Sequence, residues 1–415
     1  MTTKKRFVIT GIGIISDIGI GKEKFWHGLK YGTSGIGPIT LFDTSLLPIK
    51  VGGEITDFNA KVFLGKKGLR LLDRSTLLAS TAAILAIDDA GLLDNKEALN
   101  QTGIVLGTTM GGLQSIVDFE IEAITEGPRY VNPALFPNTV FNALASQIAI
   151  RFLLKGPNVT ISTGFSASLD AIDYVIDSIR LGRVDRMLVG GVEEMCLPMF
   201  LSFCQAGLLA KAENGDIYNC PFDKRRNGFI FAEGAALIVV EELNTALQRG
   251  ATIYLEIFPT GSGMDSFDYT NQGGEQGRAI QLAMQKALGN SETKPEDIDF
   301  ICAHANSSPK SDIVETNAIK NVFGNHAKNL SVCGIKSMIG ETYSASGAFG
   351  VAAAIGTIVQ GFLPPTINYE QPDSECDLDY VPNVFRDARM KAGMVNTIGS
   401  GGSCTSVVVK HLKND

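Results

Sequence analysis

The chain has 415 residues, with 36 basic against 44 acidic side chains and a formal net charge of −8, which argues against nucleic acid as its main partner. Hydrophobic residues make up 45% and charged residues only 19%, so much of the chain must lie in a large core or interface, and global disorder is excluded. The longest mostly apolar stretches, 79–87 and 347–359, fall short of the roughly 18–20 residues that a membrane helix requires.

In chain order, residues 6–15 form an apolar run punctuated by glycine; they read as a first core strand and lack the uninterrupted apolar core and cleavage site of a signal peptide. A long helix is predicted over 69–90, where apolar residues recur at three and four. The β-branched runs 104–107 and 159–162 read as buried strands, with a helix over 142–153 between them. From Ser166 onward Leu169, Ile172, Val175, Ile176 and Ile179 trace one helical face that Gly182 closes, and a strand follows over 186–189. The later half repeats the alternation, with strands over 253–257, 300–303, 330–333, 394–397 and 405–409 and helices over 277–288, 311–323 and 344–360. Such alternation predicts α/β layers around largely buried sheets, and with no linker composition anywhere the chain is expected to be one compact body. No short-period repeat is visible. Seven cysteines are scattered without a CxxC pair or a Cys/His cluster, which fits neither a disulfide framework nor a zinc site and points to reduced thiols in a cytoplasmic protein.

The chemistry concentrates in three segments. Residues 156–168 read as a strand, a sharp turn and a helix start, where unpaired N–H groups and the helix dipole would favour an anion and lower a thiol's pKa. The residue at that turn is Phe165, which has no lone pair to donate; its plain reading is a core aromatic. Two further segments are Ala303-His304-Ala305-Asn306-Ser307-Ser308 and Lys336-Ser337-Met338-Ile339-Gly340-Glu341.

Pro221-Phe222-Asp223-Lys224-Arg225-Arg226-Asn227-Gly228-Phe229, followed by Ala232-Glu233-Gly234-Ala235, resembles the β-ketoacyl synthases of fatty acid and polyketide biosynthesis. The resemblance runs almost end to end, from Thr10-Gly11-Ile12-Gly13 through Gly107-Thr108-Thr109-Met110-Gly111-Gly112 to Asn396-Thr397-Ile398-Gly399-Ser400-Gly401-Gly402. It implies the thiolase fold: two similar α/β halves, expected at 1–250 and 251–415, in five alternating layers of helices and sheets, with a dimer formed through the first half. Active members carry a Cys where this chain has Phe165, a His in an Ala-His-Gly-Thr-like motif, and a Lys and second His in a Lys-Ser-x-x-Gly-His-like motif. Their thiolate takes the acyl chain, while the two imidazoles stabilise charge as a malonyl thioester loses CO2 and the carbanion attacks. By that pattern His304 and Lys336 remain, and Glu341 puts negative charge where an enolate oxygen would develop.

The resemblance therefore implies a degenerate site of Phe165, His304, Lys336 and Glu341 with no catalytic residue, no cofactor and no metal. With its partners gone, His304 reads as structural, neutral and hydrogen-bonded. Lys336 with Glu315 resembles a pair that orders the family's site, and a plain buried ion pair fits the sequence equally. Ser400 replaces the usual Phe of a gating Gly-Phe-Gly-Gly turn. Lys66, Lys67, Arg70 and Arg74 fall where similar synthases meet acyl carrier protein, although a solvated helix face accounts for them as well. The pattern is similar to the chain length factor, or ketosynthase β subunit, of bacterial type II polyketide and aryl polyene systems, which pairs with an active ketosynthase and reaches acyl carrier protein through the complex. Many such subunits have Gln where this chain has Phe165. Met110, Leu113, Ile116 and Phe119 match the family's interface region, where they would form the far wall of the partner's acyl tunnel. Two alternatives are an acyltransferase or hydrolase using Ser166 or Ser168 with His304, and a scaffold or regulatory subunit that holds no growing chain.

Overall fold

The computed structural model describes residues 5–212, 217–265, 277–399 and 401–412. Five strands build the first half: β1 (Phe7–Ser16), β2 (Gly103–Gly107), β3 (Asn158–Ile161), β4 (Arg186–Glu193) and β5 (Gly234–Glu242), in the order β1-β5-β4-β2-β3. The first two pairings are antiparallel, and β4, β2 and β3 run parallel. A short strand, β6 (Leu255–Ile257), leads into the second half: β7 (Gly261–Met264), β8 (Phe300–Cys302), β9 (Ser331–Cys333), β10 (Ala392–Ile398) and β11 (Ser403–Lys410). Their order, β7-β11-β10-β8-β9, and their strand directions reproduce those of the first half position by position. β6 pairs antiparallel with both β1 and β11 and so joins the two halves into one hydrogen-bonded sheet.

Helices cover both faces. In the first half these are α1 (Arg74–Asp89), α2 (Leu113–Thr125), α3 (Ala143–Phe152) and α4 (Ala167–Arg180); in the second, α5 (Arg278–Asn290), α6 (Pro309–Phe323) and α7 (Ser346–Gln360). Side chains alternate across each strand, and the alternation separates three cores. Ile104 and Leu106 of β2 face outward to Leu78, Ala82 and Ala86 of α1 and Leu144 of α3. Val105 of the same strand faces inward to a core shared by Ile172 and Ile176 of α4, Phe349 and Ile355 of α7, and Val395 and Val407 from the second half. On the far side Ile280 and Ala283 of α5 and Ile319 of α6 pack on Ile301, Val332 and Val408. Helices, sheet, inner helices, sheet and helices are the five layers of the thiolase-like fold that the resemblance implies. α7 is buried over nearly its whole length and is apolar on nearly every side, as a helix held between the two halves of the sheet must be.

Three expectations need correction. The helix predicted from residue 69 starts at Arg74, because the Asp73 carboxylate accepts the Thr76 N–H at 2.7 Å as an N-cap, while Gly65 and Gly68 at φ +71° and +74° hold the preceding segment in turns. The Lys66, Lys67 and Arg70 side chains are accordingly exposed on a turn, not on a helix face, and Arg74 turns inward to bond the buried Glu233 carboxylate and the Ile55 carbonyl. The strand predicted over 253–257 is confined to Leu255–Ile257. β5, buried at every position, went unpredicted although its first residues belong to the motif quoted above. Among the described residues no helix is long and apolar enough to cross a membrane.

Candidate functional site

Matching turns of the two halves meet at the centre of the molecule. From β3 the chain makes a 3-10 turn, Gly164–Ser166, and enters α4; Gly164 at φ +69° permits the sharp reversal that presents Phe165 at the helix start. In the second half a 3-10 turn, Tyr343–Ala345, enters α7 in the same way. The Phe165 and Tyr343 rings meet edge to face, 4.6 Å apart at 83°. Phe229 and His304 approach Phe165 at 6.2 and 5.5 Å, both nearly perpendicular, and Phe203 closes the cluster at 5.3 Å from Tyr343 and from Phe229. Each such edge-to-face pair contributes roughly 0.5–1.5 kcal/mol beyond the area it buries. Phe165 is 1% exposed. Position 165 is thus part of an aromatic core.

The polar groups stand beside this core. Lys336, on the short helix Lys336–Ile339, donates from Nζ to His304 Nδ1 at 2.9 Å and to Glu341 Oε2 at 2.8 Å. Since Nδ1 accepts, the imidazole proton resides on Nε2, which has no hydrogen-bond partner and lies 3.9 Å from Glu341 Oε2. Burial, reinforced by the adjacent ammonium, holds His304 well below the usual imidazole range, so the ring is neutral. Burial pushes the Glu341 carboxyl up, opposed by the Lys336 charge. Glu341 Oε1 also accepts the Tyr343 N–H at 2.9 Å. The motif segment runs alongside: Glu341 N–H donates to the Ile230 carbonyl at 2.8 Å, and the Glu341 carbonyl accepts from Ala232 N–H at 2.9 Å. This short parallel bridge pairs Phe231 with Glu341 and ties the segment that follows Phe229 to the charged turn.

Glu315 is not the partner of Lys336. Its carboxylate accepts the N–H groups of His304 (2.9 Å) and Ala305 (3.1 Å) and the Asn396 side chain (3.1 Å), and so fixes the loop that carries His304. Ser166 donates to the Ser403 carbonyl at 3.3 Å and accepts from Thr397 at 3.1 Å, and Ser168 accepts the Ala348 N–H at 3.0 Å; neither hydroxyl is hydrogen-bonded to His304. Met110 and Leu113 are partly buried against the aromatic cluster. Ile116 and Phe119 lie further along α2, a helix with no fully buried residue, and Phe119 packs on Phe136 at 6.4 Å. Ser400 lies outside the described residues. Among the described residues no His, Cys, Asp or Glu grouping could hold a metal ion. Sequence reasoning missed Tyr343, Phe203 and Phe229 as site residues; the one available signal was that Tyr343 follows Glu341 by two positions and Phe229 ends a quoted motif.

The β-ketoacyl synthase N-terminal domain matches residues 4–246 and the C-terminal domain residues 259–370. A 3-oxoacyl-acyl-carrier-protein synthase 2 from a Synechocystis species is 37% identical over 412 residues, 99% of each chain. A protein of the same name from Staphylococcus aureus is 34% identical over the full length of both. Among solved structures, the ishigamide ketosynthase/chain length factor is similar at a TM-score of 0.90 and 33% identity, over 99% of this chain and all of the other. A type II polyketide synthase acyl-carrier protein in complex with its ketosynthase bound to the hexaketide matches at 0.88 and 28% identity, with the same coverage.

Proposed function

Because this chain belongs to the β-ketoacyl synthase family, we propose that it is a non-catalytic chain length factor, pairing with a cysteine-bearing ketosynthase in type II polyketide biosynthesis and setting product length by shaping the acyl tunnel. The observation that carries this reading is Phe165 at the start of α4, in the place where the family's nucleophile stands. A phenyl ring cannot take an acyl group. Decarboxylation fares no better: His304 is neutral and sealed, Glu341 occupies the second imidazole's position, and the Lys336 charge is spent on that carboxylate. Relatives named as 3-oxoacyl synthases share a third of the sequence, and that identity establishes the family, not retention of the reaction.

The likeness to a ketosynthase/chain length factor structure supports the pairing, as does the apolar surface around α2, where Ile121, Ile124, Tyr130 and Phe136 are exposed in the isolated chain. Acyl carrier protein then reaches the growing chain through the complex. Met110 and Leu113, adjoining the aromatic cluster, with Ile116 and Phe119 further along α2, form the tunnel's far wall in this reading. An acyltransferase or hydrolase built on Ser166 finds no favourable observation, since its hydroxyl is already engaged away from the imidazole.

The test is co-expression with ketosynthases encoded beside this chain, followed by turnover with malonyl carrier protein. The expected outcome is no ketide and no acyl adduct from this chain alone, products from the complex, and longer products when Met110, Leu113 or Ile116 is replaced by Ala. An acyl adduct on the unmodified chain, or an unchanged product distribution from intact and active complexes of all three variants, overturns it.

A further inference from the structure

Loss of a nucleophile does not require loss of the space around it. Position 165 nevertheless is closed on several sides, and one of the closing groups comes from the opposite half of the molecule. The Tyr343 ring lies against Phe165 at 4.6 Å and is backed by Phe203 at 5.3 Å; Tyr343 is 8% exposed. Its backbone takes φ +51°, in the left-handed region that a bulky L-residue rarely adopts without external support. That support is visible. The Tyr343 N–H is bonded to Glu341 Oε1 at 2.9 Å, while Glu341 Oε2 is anchored to Lys336 at 2.8 Å. The carboxylate that replaces the second imidazole therefore spans two jobs: it neutralises Lys336 and seats the strained turn that aims Tyr343 at position 165.

We propose that Tyr343, seated by Glu341, is a lock that closes the approach to position 165, so that the chain is barred from acyl loading as well as from condensation. The proposal rests on the non-catalytic reading and deepens it, by placing the block at the first chemical step. Loading by a thiol at this position would require its sulfur to give up a proton and attack the thioester carbonyl, the carbonyl–sulfur bond of the incoming thioester to break, and the departing thiolate to take up a proton. The carbonyl must come within about 3–3.5 Å of the attacking atom. With Tyr343 on one flank and His304 and Phe229 on others, no acyl thioester reaches that distance unless the Tyr343 ring moves away.

The experiment compares four proteins, the unmodified chain, F165C, F165C/Y343G and F165C/Y343L, incubated with octanoyl-coenzyme A and, separately, with iodoacetamide. Adducts are assigned to position 165 by peptide mass, because the chain has seven cysteines of its own, and folding is checked by near-UV circular dichroism and thermal melting. Glycine suits φ +51° and leucine retains apolar bulk, so a folding failure of either double variant leaves the other to decide. The expected result is slow labelling of F165C by both reagents and at least tenfold faster labelling of a folded double variant. Equal rates in F165C and the folded double variants overturn the lock while leaving the non-catalytic reading intact. An octanoyl adduct on the unmodified chain would overturn that reading instead.

Discussion

The two turns that enter the inner helices occupy equivalent places in the two halves, yet they differ in almost every side chain. The first, Gly164–Ser166, leaves β3 directly, carries no charge and presents Phe165. The second, Tyr343–Ala345, is reached from β9 through the helix Lys336–Ile339 and brings with it a buried ammonium, a buried carboxylate and an aromatic ring. Duplication constrains the backbone, since strand order and direction must match for the layers to pack; the tips lie beyond the strands and are free of that constraint. The difference teaches that turns in equivalent places need not share side chains, because each tip is completed by what packs against it. Phe165 is buried among Tyr343, Phe229 and His304.

The largest effect is expected from breaking the charged tip. Lys336→Met leaves Glu341 buried without its cation and should cost about 3–5 kcal/mol, read as a lowered denaturant midpoint. A loss below about 1 kcal/mol would mean that the carboxyl is carried protonated and the pair matters little. Emptying the uncharged tip comes next: Phe165→Ala should cost about 3 kcal/mol, at the low end for a buried phenyl because Tyr343 and Phe229 can close on the cavity. Phe165→Leu should cost less, and a reversal of that order would contradict the cavity account.

A smaller, pH-dependent effect should appear beside Met110. Glu193 accepts the Thr109 and Met110 N–H groups, but burial dominates and pushes its carboxyl from 4.5 up to about 7. The folded state therefore holds this proton more tightly than the unfolded chain. The resulting contribution, on the order of 1–3 kcal/mol, is complete below 4.5 and is lost as the pH rises through about 7. Glu193→Gln, which resembles the protonated acid, should flatten the stability profile across that window; an unchanged slope would assign it to other groups, of which Glu194, also raised to about 7, is the first to test. The smallest effect on the isolated chain is expected at α2, where Ile124 is 83% exposed: Ile124→Ser should change its stability by no more than about 0.5 kcal/mol. Co-purification with a ketosynthase should nonetheless fall several-fold, and undiminished pairing would move the interface off this face.

Much of the fold was determined locally. β1, the inner helix α4 and the strand pair β10 and β11 follow from apolar runs and periodicities that any short window contains, because a residue's face is set by its position along a helix or strand. The start of α1 was misplaced because a short window of apolar spacing does not reveal which residue caps; Asp73 does so, ending a stretch that two left-handed glycines had already turned. The sequence by itself carries the reading that position 165 holds no nucleophile, because a phenyl ring lacks the atom that acyl transfer would need. Partnership was not legible. The sequence pattern paired Lys336 with Glu315, and only the folded chain corrects it, since backbone amides of the His304 loop occupy Glu315 while Glu341 reaches the ammonium at 2.8 Å. Tyr343 and Phe165 belong to different halves and meet only when the two halves pack together and bring the entry turns of their inner helices into contact. Contacts made across layers are set by packing of the whole body, and no local periodicity encodes them.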